Sequence, residues 1–422
     1  MATVPQSPVG RILPRHAATA VGEALADTRV VLVNGARQCG KSTLVAQFAD
    51  NRGAEWRSLD HAATRHAALS DPTDFVLGVE SMVIDEVQRV PELLLAIKET
   101  VDADPRPGRF LLTGSARVLG LRGLPDALPG RMETIELWPL SQGEIDGAPD
   151  GFVDAIFAAG PDFRHSSAET RAGYADRVVR GGFAEAVARP SRRRERFFDS
   201  YVGDLINRDV IQLSEIERGP EMRALARLVA ARSGQLLVPG SLGSALGLPH
   251  PTVSRYLGLL EEVFLIKRVP AWSRNISSRV VSTPKVAMVD SGIAANLLGQ
   301  GAVALTQPEG AIGPVLEAFV AMEIARQLTW SEERAEMFHY RTKDQVEVDI
   351  VLENRRGKVV AIDVKARSTV RADDFRGIRH LADRVGSDLV AGIVLYTGRE
   401  TLPFGSRFRA VPIAALWETG PG

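Results

Sequence analysis

Short apolar runs alternate with polar and helical stretches through the first third of the chain. The clearest runs are Val30–Val33, Met82–Ile84 and Phe110–Leu112, and Glu55–Leu59 and Ile135–Leu137 extend the series. Strands that alternate with helices are typical of a parallel α/β sheet. We therefore predict a parallel sheet flanked by helices at the start of the molecule.

Helical spacing predicts two of the segments that connect these strands. One helix runs from Lys41 to about Ala49, directly after a glycine-containing loop. A second follows Pro91, a residue suited to a first helical turn. Its apolar positions recur with the helical period and predict a buried face that consists of Leu93, Leu94, Ile97 and Val101.

Composition divides the rest of the chain. Gly, Pro, Ala and Asp are frequent between Gly147 and Gly160, which predicts a boundary, and Leu298–Gly313 reads as a glycine-rich linker. The segment from Arg171 to about Arg232 is mainly helical in pattern. Four domains are predicted: a first α/β domain (1–150), a helical lid or connector (151–235), a helix–turn–helix domain (236–298) and a last α/β domain (314–422).

Length and charge narrow the class of protein. A chain of 422 residues is too long for one ordinary core. The formal net charge of −1 gives no global basic field of the kind that many nucleic-acid binders carry, although Arg192–Arg196 is a local basic run. The single cysteine cannot form an internal disulfide, and no Cys/His cluster has the spacing of a zinc site.

The chain is expected to be cytoplasmic, reduced and soluble, without a membrane partner. Arg11, Pro14, Arg15 and His16 interrupt any apolar core of a secretory signal. No stretch reaches the roughly 18 uninterrupted apolar residues that a membrane helix needs.

The loop after the first strand carries the most specific motif. It reads Gly35, Ala36, Arg37, Gln38, Cys39, Gly40, Lys41 and Ser42, followed by Thr43. This is the G-x-x-x-x-G-K-[ST] pattern, placed after a strand and before a helix as a phosphate loop requires. Its backbone N–H groups and the helix N-terminus attract phosphate oxygens. Lys41 should reach the β- and γ-phosphates of ATP, and the Ser42 hydroxyl should bind Mg²⁺.

Two adjacent acids follow the third apolar run. Asp85 lies at the carboxyl end of a predicted strand, where ligands bind in open α/β sheets, and we expect it to hold Mg²⁺ with Ser42. Glu86 points differently and can polarise the attacking water as a general base. Adjacent acids after a strand also serve as helix N-caps, which is the structural alternative.

Two further residues are candidates for contacts with the γ-phosphate. Ser115 ends the fourth run in the sequence Thr113–Gly114–Ser115 and is a candidate sensor; the alternative is a turn with a helix N-cap. Arg131 is a candidate arginine finger, because charge that develops on the γ-phosphoryl group needs a cation. A solvated surface arginine is the alternative for Arg131.

These motifs resemble a family of prokaryotic AAA-type P-loop ATPases with a C-terminal domain of uncharacterised function. Besides the loop and the acid pair, the likeness includes Leu112–Ser115, Gly130–Arg131, Trp138–Ser141, Gly181–Phe183, Tyr201–Asp209 (with Asn207–Arg208–Asp209) and Met288–Gly292. It covers nearly the whole chain. The resemblance implies a P-loop NTPase parallel sheet, and relatives of this type often form rings, which makes a homo-oligomer a candidate.

The middle of the chain has helix–turn–helix character and predicts a winged helix. A helix at Ser241–Leu246, the turn Gly247–Pro249 and a second helix to about Glu262 would precede a wing that starts at Phe264. In a DNA reader the second helix would present polar residues to the major groove, namely His250, Thr252, Ser254 and Arg255. Phosphate contacts would come from Lys267, Arg268, Arg274 and Arg279. Packing or dimerisation is the alternative role.

The last segment resembles the restriction-endonuclease-like α/β fold. Asp349 lies in an alternating strand, Asp363 and Lys365 form a D-x-K pattern on one face of the next strand, and Glu317 lies on an upstream helix. In that fold the acids hold a divalent metal and the lysine polarises water or phosphate. Ion pairing among these residues is the alternative, and Glu347, which shares a face with Asp349, could replace it.

Three functions remain open from the sequence. The first is a Mg²⁺-dependent ATPase whose cycle rearranges the C-terminal region, coupled to DNA or to a protein partner. The second is an ATP-gated, metal-dependent DNA nuclease. The third is a nucleotide-dependent regulatory switch that binds a protein partner.

Overall fold

The computed structural model describes residue 10 and residues 12–115, 128–210 and 219–420. The chain divides into two compact units, one of residues 1–140 with 262–264 and one of residues 141–261 with 265–422. The second unit therefore begins at Ser141 and includes most of the three later predicted domains. In the described ranges no helix is long and apolar enough to cross a membrane.

Five parallel strands form the sheet of the first unit. They are β1 (Val30–Asn34), β2 (Glu55–Ser58), β3 (Met82–Asp85), β4 (Phe110–Gly114) and β5 (Met132–Glu136). Their order across the sheet is β2-β3-β4-β1-β5, with every pairing parallel. All residues of β1, β3 and β4 are buried, as expected for a sheet covered by helices. The predicted α/β parallel sheet is confirmed.

Helices cover this sheet. They are α1 (Ala17–Asp27), α2 (Lys41–Arg52), α3 (Ala62–Ser70), α4 (Pro72–Val76) and α5 (Leu93–Ala103). The four apolar residues that predicted the inner face of α5 are all buried and belong to one core with the side chains of β3 and β4. The helical period after Pro91 therefore identified a helix that packs against the sheet.

The second unit begins with a long helical region. Its helices are α6 (Gln142–Asp146), α7 (Phe152–Ala159), α8 (Arg171–Arg180), α9 (Ala184–Val187), α10 (Ser191–Asp204), α11 (Gly219–Ala231), α12 (Pro239–Leu246), α13 (His250–Glu262), α14 (Ile276–Val281), α15 (Ser291–Leu297), α16 (Ala302–Thr306) and α17 (Ile312–Gln327). Helices lie within the two segments that composition predicted as a boundary and a linker. Gly147–Gly160 contains α7, whose Phe152 and Ile156 are buried, and Leu298–Gly313 contains α16.

Two of the family-like motifs meet in this region. The buried carboxylate of Asp290 caps α15 at the Ile293 N–H (3.0 Å) and also accepts from the Gly182 N–H (2.7 Å). A Cβ on Gly181 would lie 2.4 Å from the same carboxylate, and the φ of 66° also favours glycine, so a side chain there would displace the carboxylate. The motifs at Gly181–Phe183 and Met288–Gly292 therefore form one buried structural contact.

The helix–turn–helix prediction matches the observed elements. Helix α12 and helix α13 are joined by a turn at Gly247, which has a left-handed backbone. Strand β6 (Ile266–Val269) follows and pairs antiparallel with β7 (Lys285–Met288). The four predicted apolar residues of α13 are buried, namely Val253, Tyr256, Leu257 and Leu260. Whether this arrangement serves as a DNA-reading winged helix stays a prediction.

A separate mixed sheet ends the second unit. Its strands are β8 (Ala335–Arg341), β9 (Glu347–Asn354), β10 (Val359–Lys365), β11 (Leu389–Tyr396), β12 (Leu402–Pro403) and β13 (Phe408–Pro412), in the order β12-β13-β11-β10-β9-β8. Helices α18 (Arg376–Val385) and α19 (Ala415–Glu418) accompany it. The predicted last α/β segment is therefore present, and its likeness to restriction endonucleases stays a prediction.

Candidate nucleotide-binding site

The predicted phosphate loop connects β1 to α2 and needs glycine at two places. A Cβ on Gly35 would lie 2.0 Å from the Leu137 carbonyl oxygen, which is too close for any side chain. Gly40 has a φ of 100°, in the left-handed region that favours glycine, and α2 begins directly after it. The loop is held from outside by Arg15, whose guanidinium donates to the carbonyls of Cys39 (2.8 Å) and Trp138 (2.7 Å).

Lys41 lies inside this loop. Its side chain is buried, and Nζ donates to the carbonyl oxygens of Gly35 (3.1 Å) and Ala36 (2.9 Å). Both acceptors are neutral, so the positive charge is not neutralised by a carboxylate at hydrogen-bond distance. Phosphate oxygens form stronger, charge-assisted hydrogen bonds with an ammonium group than carbonyls do. Lys41 is therefore positioned to exchange these carbonyls for phosphate.

Asp85 and Ser42 meet at the carboxyl ends of the strands. The Ser42 hydroxyl donates to Asp85 Oδ1 (2.8 Å), and the Thr113 hydroxyl on β4 donates to the same oxygen (2.6 Å). Ser58 Oγ lies 3.4 Å from the other carboxylate oxygen. Burial raises the pKa of Asp85, and the two shorter hydrogen bonds partly offset that effect. A hydroxyl and a carboxylate are oxygen ligands of the kind that Mg²⁺ prefers, so this pair fits the predicted metal.

Glu86 is held by a second set of polar groups. Its Oε2 accepts from the Ser115 hydroxyl (2.7 Å) and from the Gln88 amide (2.5 Å), and Gln88 also donates to Ser115 Oγ (2.9 Å). Burial would raise the pKa of Glu86, but the charge of Lys41 and these hydrogen bonds outweigh it, so the pKa lies below its ordinary value. Glu86 is therefore ionised at neutral pH.

The backbone of Glu86 turns its side chain away from that of Asp85. Glu86 has a φ of 61°, which is uncommon for a residue with a side chain, and its N–H donates to the Thr113 hydroxyl (2.9 Å). Thr113 therefore contacts both acids. Non-glycine residues in this conformation occur often at functional sites. The two adjacent acids thus accept side-chain hydrogen bonds from different donors.

Sequence reasoning missed two of these contacts. Gln88 bridges Glu86 and Ser115, and Arg15 anchors the loop. The position of Gln88, two residues after a predicted catalytic acid, could have suggested its role. No local pattern links Arg15 to a loop that begins 20 residues later.

Arg131, the candidate arginine finger, has its contacts away from the phosphate loop of its own chain. It precedes β5, and its carbonyl accepts from the N–H of Val30, the first residue of β1. The phosphate loop follows the opposite end of β1, about 16 Å away at the rise of a five-residue strand. The Arg131 guanidinium instead pairs with Asp102 (2.5 Å). Arg131 therefore does not reach the phosphate loop of its own chain.

Comparison with known proteins agrees with this geometry. Residues 27–146 match the family model described as AAA domain. The match and the loop geometry together support nucleotide binding and hydrolysis by an AAA-type P-loop ATPase. Residues 171–304 and 312–416 match two models, each described as a domain of unknown function (DUF8612 and DUF4143).

Two relatives and two solved structures are similar to this chain over most of its length. The uncharacterised protein Rv2008c of Mycobacterium tuberculosis is 28% identical over 96% of this chain and 85% of its own length. An uncharacterised Haemophilus influenzae protein is 21% identical over 64% and 70%. Among structures, the Walker-type ATPase PABY2304 of Pyrococcus abyssi gives a TM-score of 0.40 at 15% identity, over 70% of this chain and 99% of that one. The Thermotoga maritima RuvB Holliday junction branch migration motor gives 0.32 at 20% identity, over 63% and 93%.

Outside the AAA domain, the structure brings the predicted nuclease-like acids together around a lysine that sequence reasoning missed. Lys285 Nζ donates to Glu317 Oε1 (2.5 Å) and to Asp349 Oδ1 (3.0 Å). The Lys285 side chain is only 6% exposed. Asp363 Oδ1 accepts from the Asp349 backbone N–H (3.2 Å), and Lys365 Nζ lies 3.6 Å from Asp363 Oδ2. We call these five residues the acid–lysine cluster.

The electrostatics of the acid–lysine cluster follow from its burial. Burial and the charge of Asp349 raise the pKa of Glu317 and that of Asp363 to about 8. Burial alone would raise the pKa of Asp349, but Lys285 and Lys365 lower it below its ordinary value. The pKa of Lys285 lies above its ordinary value because the two acids outweigh its burial. Lys285 is therefore a permanent cation inside the cluster.

This geometry does not support the predicted second metal site. In the part of the chain that the structure describes, no group of three or more acidic, His or Cys side chains is arranged to hold a metal ion. The physical reason is Lys285, whose ammonium contacts Glu317 and Asp349 directly. Glu347, the alternative to Asp349, forms an ion pair with Arg341 instead.

The residues predicted to contact DNA have mixed surroundings. On α13, His250 and Arg255 are exposed, and Thr252 and Ser254 are half-buried. Two of the predicted phosphate contacts are paired with acids: Arg268 with Glu261 (3.1 Å) and Arg279 with Glu353 (2.5 Å). Arg274 is 66% exposed.

Proposed function

We propose that the protein is a Mg²⁺-dependent ATPase whose hydrolysis cycle changes the arrangement of its C-terminal region. The observation that carries the proposal is the hydroxyl–carboxylate pair of Ser42 and Asp85 beside the phosphate loop, with Thr113 bound to the same carboxylate oxygen. The ends of β3 and β4 and the start of α2 contribute to this one point. Ser42 and Asp85 would hold Mg²⁺, which neutralises phosphate charge when it is bound.

The residues of the chain have distinct roles in the proposed reaction. Lys41 leaves the carbonyls of Gly35 and Ala36 and binds the β- and γ-phosphates. Glu86 accepts a hydrogen bond from the attacking water and orients it, which its ionised state allows. Ser115 and Gln88 fix the carboxylate in place. Because both contact the carboxylate that orients the water, they are candidate sensors of γ-phosphate loss.

The partner that responds to hydrolysis is the finer part of the proposal. The C-terminal region offers a helix–turn–helix and a mixed sheet with an acid–lysine cluster, so we propose DNA as the first partner to test. An ATP-gated nuclease would need the cluster to release Lys285, which its two hydrogen bonds oppose. A switch with a protein partner is the remaining alternative.

Phosphate release from Mg-ATP, measured with and without DNA, tests the proposal. Lys41→Ala is the blank, and Lys98→Ala is a matched control because Lys98 lies on α5, away from the loop. We expect turnover in the wild type and in the control, and none in Lys41→Ala. Turnover that survives Lys41→Ala would contradict the assigned site. Acceleration by DNA would support coupling to nucleic acid, and indifference to DNA would favour the protein-partner switch.

A further inference from the structure

A groove runs along the edge of the mixed sheet, wholly within the second unit. Strand β8 is the edge strand, and the backbone of residues 270–272 covers part of it through the bonds from Trp272 N to His339 O (2.6 Å) and from His339 N to Pro270 O (2.9 Å). A cavity of about 900 Å³ lies between this segment, the start of α14 and the turn after β8. We call it the β8 groove.

The β8 groove is lined by cations and by neutral hydrogen-bond donors. Its charged lining consists of four basic side chains, Arg274, Arg341, Lys343 and Arg384, and a single acid, Asp344. The groove is therefore strongly basic in a chain whose net charge is −1. Hydroxyl and amide side chains complete the polar lining: Ser273, Asn275, Ser278, Ser282, Thr283 and Thr342. Mixed Arg, Lys, Ser, Thr and Asn side chains are the groups that contact phosphate oxygens in nucleic-acid complexes.

Two of the four cations are available for a ligand. Arg341 is paired with Glu347, and Arg274 lies 4.0 Å from Asp388. Lys343 and Arg384 are exposed and form no ion pair within the described ranges. These two residues are therefore the ones whose charge a bound anion would neutralise.

The groove continues past its first cavity. A second cavity of about 310 Å³ shares Leu236 and Arg341 with it. It adds Arg232 and the Lys285–Glu317 pair, and its other acid, Glu347, pairs with Arg341. Together the two exceed the roughly 300–1,000 Å³ of a typical small-molecule pocket. Cations spaced along such a path fit a chain of phosphates better than one small anion.

The aromatic residues of the groove limit the kind of recognition. Trp272 and Tyr340 are 6% and 4% exposed, and their polar atoms are bonded to Glu353 and His380. Buried rings cannot serve as stacking platforms for bases. The exposed cations and hydroxyl groups of the lining are left for contacts with phosphate, which carry no sequence information directly.

From these observations we propose that the β8 groove binds the sugar–phosphate backbone of a nucleic acid without sequence preference, with Lys343 and Arg384 as its main phosphate contacts. The inference deepens the proposed function because it places the nucleic-acid contact in the groove rather than on α13. It does not depend on ATP hydrolysis.

Fluorescence anisotropy of a labelled oligonucleotide, measured without ATP over a range of salt concentrations, tests the groove. For Lys343→Ala/Arg384→Ala we expect weaker binding and a salt slope lower by about 1.5, because each lost phosphate contact removes about 0.7 to 0.9 from the slope. An oligonucleotide of scrambled sequence should bind the wild type equally well. Lys343→Glu is the second variant, and it should weaken binding further.

Matched controls separate the groove from general charge effects. Arg192→Ala/Arg193→Ala removes two exposed charges from α10, and Arg255→Ala/Lys267→Ala removes one exposed and one half-buried charge from the helix–turn–helix region. Both should bind nearly as the wild type does. The inference is overturned if the groove variant keeps the affinity and salt slope of the wild type, if either control weakens binding more, or if polyglutamate binds through Lys343 and Arg384 and the oligonucleotide does not.

ATP hydrolysis provides the readout that keeps the two proposals apart. Without DNA, Lys343→Ala/Arg384→Ala should hydrolyse ATP as the wild type does. Oligonucleotide binding that persists in Lys41→Ala would support the groove even if the proposed ATPase cycle failed. Normal hydrolysis by a chain that binds no oligonucleotide would overturn the groove and leave the ATPase intact.

Discussion

The phosphate loop and the acid–lysine cluster contain the same residue types, but their lysines have different partners. In the first unit Lys41 donates to the neutral carbonyls of Gly35 and Ala36. In the second unit Lys285 donates directly to the carboxylates of Glu317 and Asp349. The charge of Lys41 is therefore available to an incoming anion, whereas the charge of Lys285 is already paired with acidic side chains.

The acids differ in the same way. Asp85 and Glu86 are bound by hydroxyl and amide donors from Ser42, Thr113, Ser115 and Gln88, which orient a carboxylate without neutralising its charge. The acids of the cluster are bound by ammonium groups. Motif residues alone therefore do not predict a metal site, because an ammonium group of the protein can already contact the acids, as Lys285 does.

The largest expected effect is at Glu86. Glu86→Gln should still bind ATP but should lower kcat by about 10²- to 10⁴-fold, because the amide cannot act as a general base. Steady-state phosphate release and binding of a fluorescent ATP analogue would measure the two properties separately. Glu92→Gln, a change at an exposed acid before α5, is the matched control and should have no effect. Normal turnover by Glu86→Gln would show that another group activates the water.

Lys285 gives the next largest effect, on stability. Lys285→Met should lower the free energy of unfolding by about 3–5 kcal/mol, because it leaves the buried Asp349 carboxylate without its cation. Urea denaturation would measure the loss. Lys358→Met, at a lysine paired with Asp388 on the surface, should change stability little. An unfolding midpoint for Lys285→Met equal to that of the wild type would contradict the structural role of the lysine.

The first unit was largely predictable from sequence, and the reason is local. The strand, the glycine loop and the helix of the phosphate site are consecutive, and Asp85 follows a three-residue apolar run. Hydrophobic periodicity and motif spacing are signals between residues that are close in sequence, so they can identify such a site. Gln88 was missed although it is local, because its role depends on the backbone of Glu86, which turns to a positive φ.

The second unit was less predictable because its contacts join distant segments. Lys285 is 32 residues from Glu317 and 64 from Asp349, and nothing in its neighbourhood marks it as a partner of either. The D-x-K pattern correctly placed Asp363 beside Lys365, since that pairing is set by the alternation of one strand. The identity of the cation that the acids contact depended on tertiary structure alone.

A smaller effect is expected in the pH dependence of stability. The pKa of Glu317 rises from 4.5 to about 8 on folding, so the folded state binds more protons than the unfolded state between these values. Stability should therefore fall as the pH rises from about 5 to about 8. Asp363, with its pKa raised to about 8, and Glu323, with its pKa raised to about 7, contribute in the same direction.

Glu317→Gln isolates one part of that fall. The amide does not titrate, so the decrease in unfolding free energy between pH 5 and pH 8 should be smaller in the variant than in the wild type. Denaturant titrations across this pH range would show the difference, and Glu336→Gln on β8 serves as the control. An identical pH profile in Glu317→Gln and the wild type would mean that Glu317 is already ionised beside Lys285.

The smallest effect on turnover in a monomeric preparation is expected at Arg131. This residue tests whether one chain supplies every charged group of its own nucleotide site. The pairing with Asp102 and the position before β5 keep Arg131 away from its own phosphate loop. Arg131→Ala should therefore leave kcat unchanged in dilute protein, as should Arg29→Ala, which removes another cation near Asp102. If copies of the chain assemble so that Arg131 reaches a neighbour's nucleotide, the specific activity of the wild type will rise with protein concentration and that of Arg131→Ala will not. A loss of turnover in folded Arg131→Ala at dilutions where the chain is monomeric would contradict the placement, because the arginine would then act within its own chain.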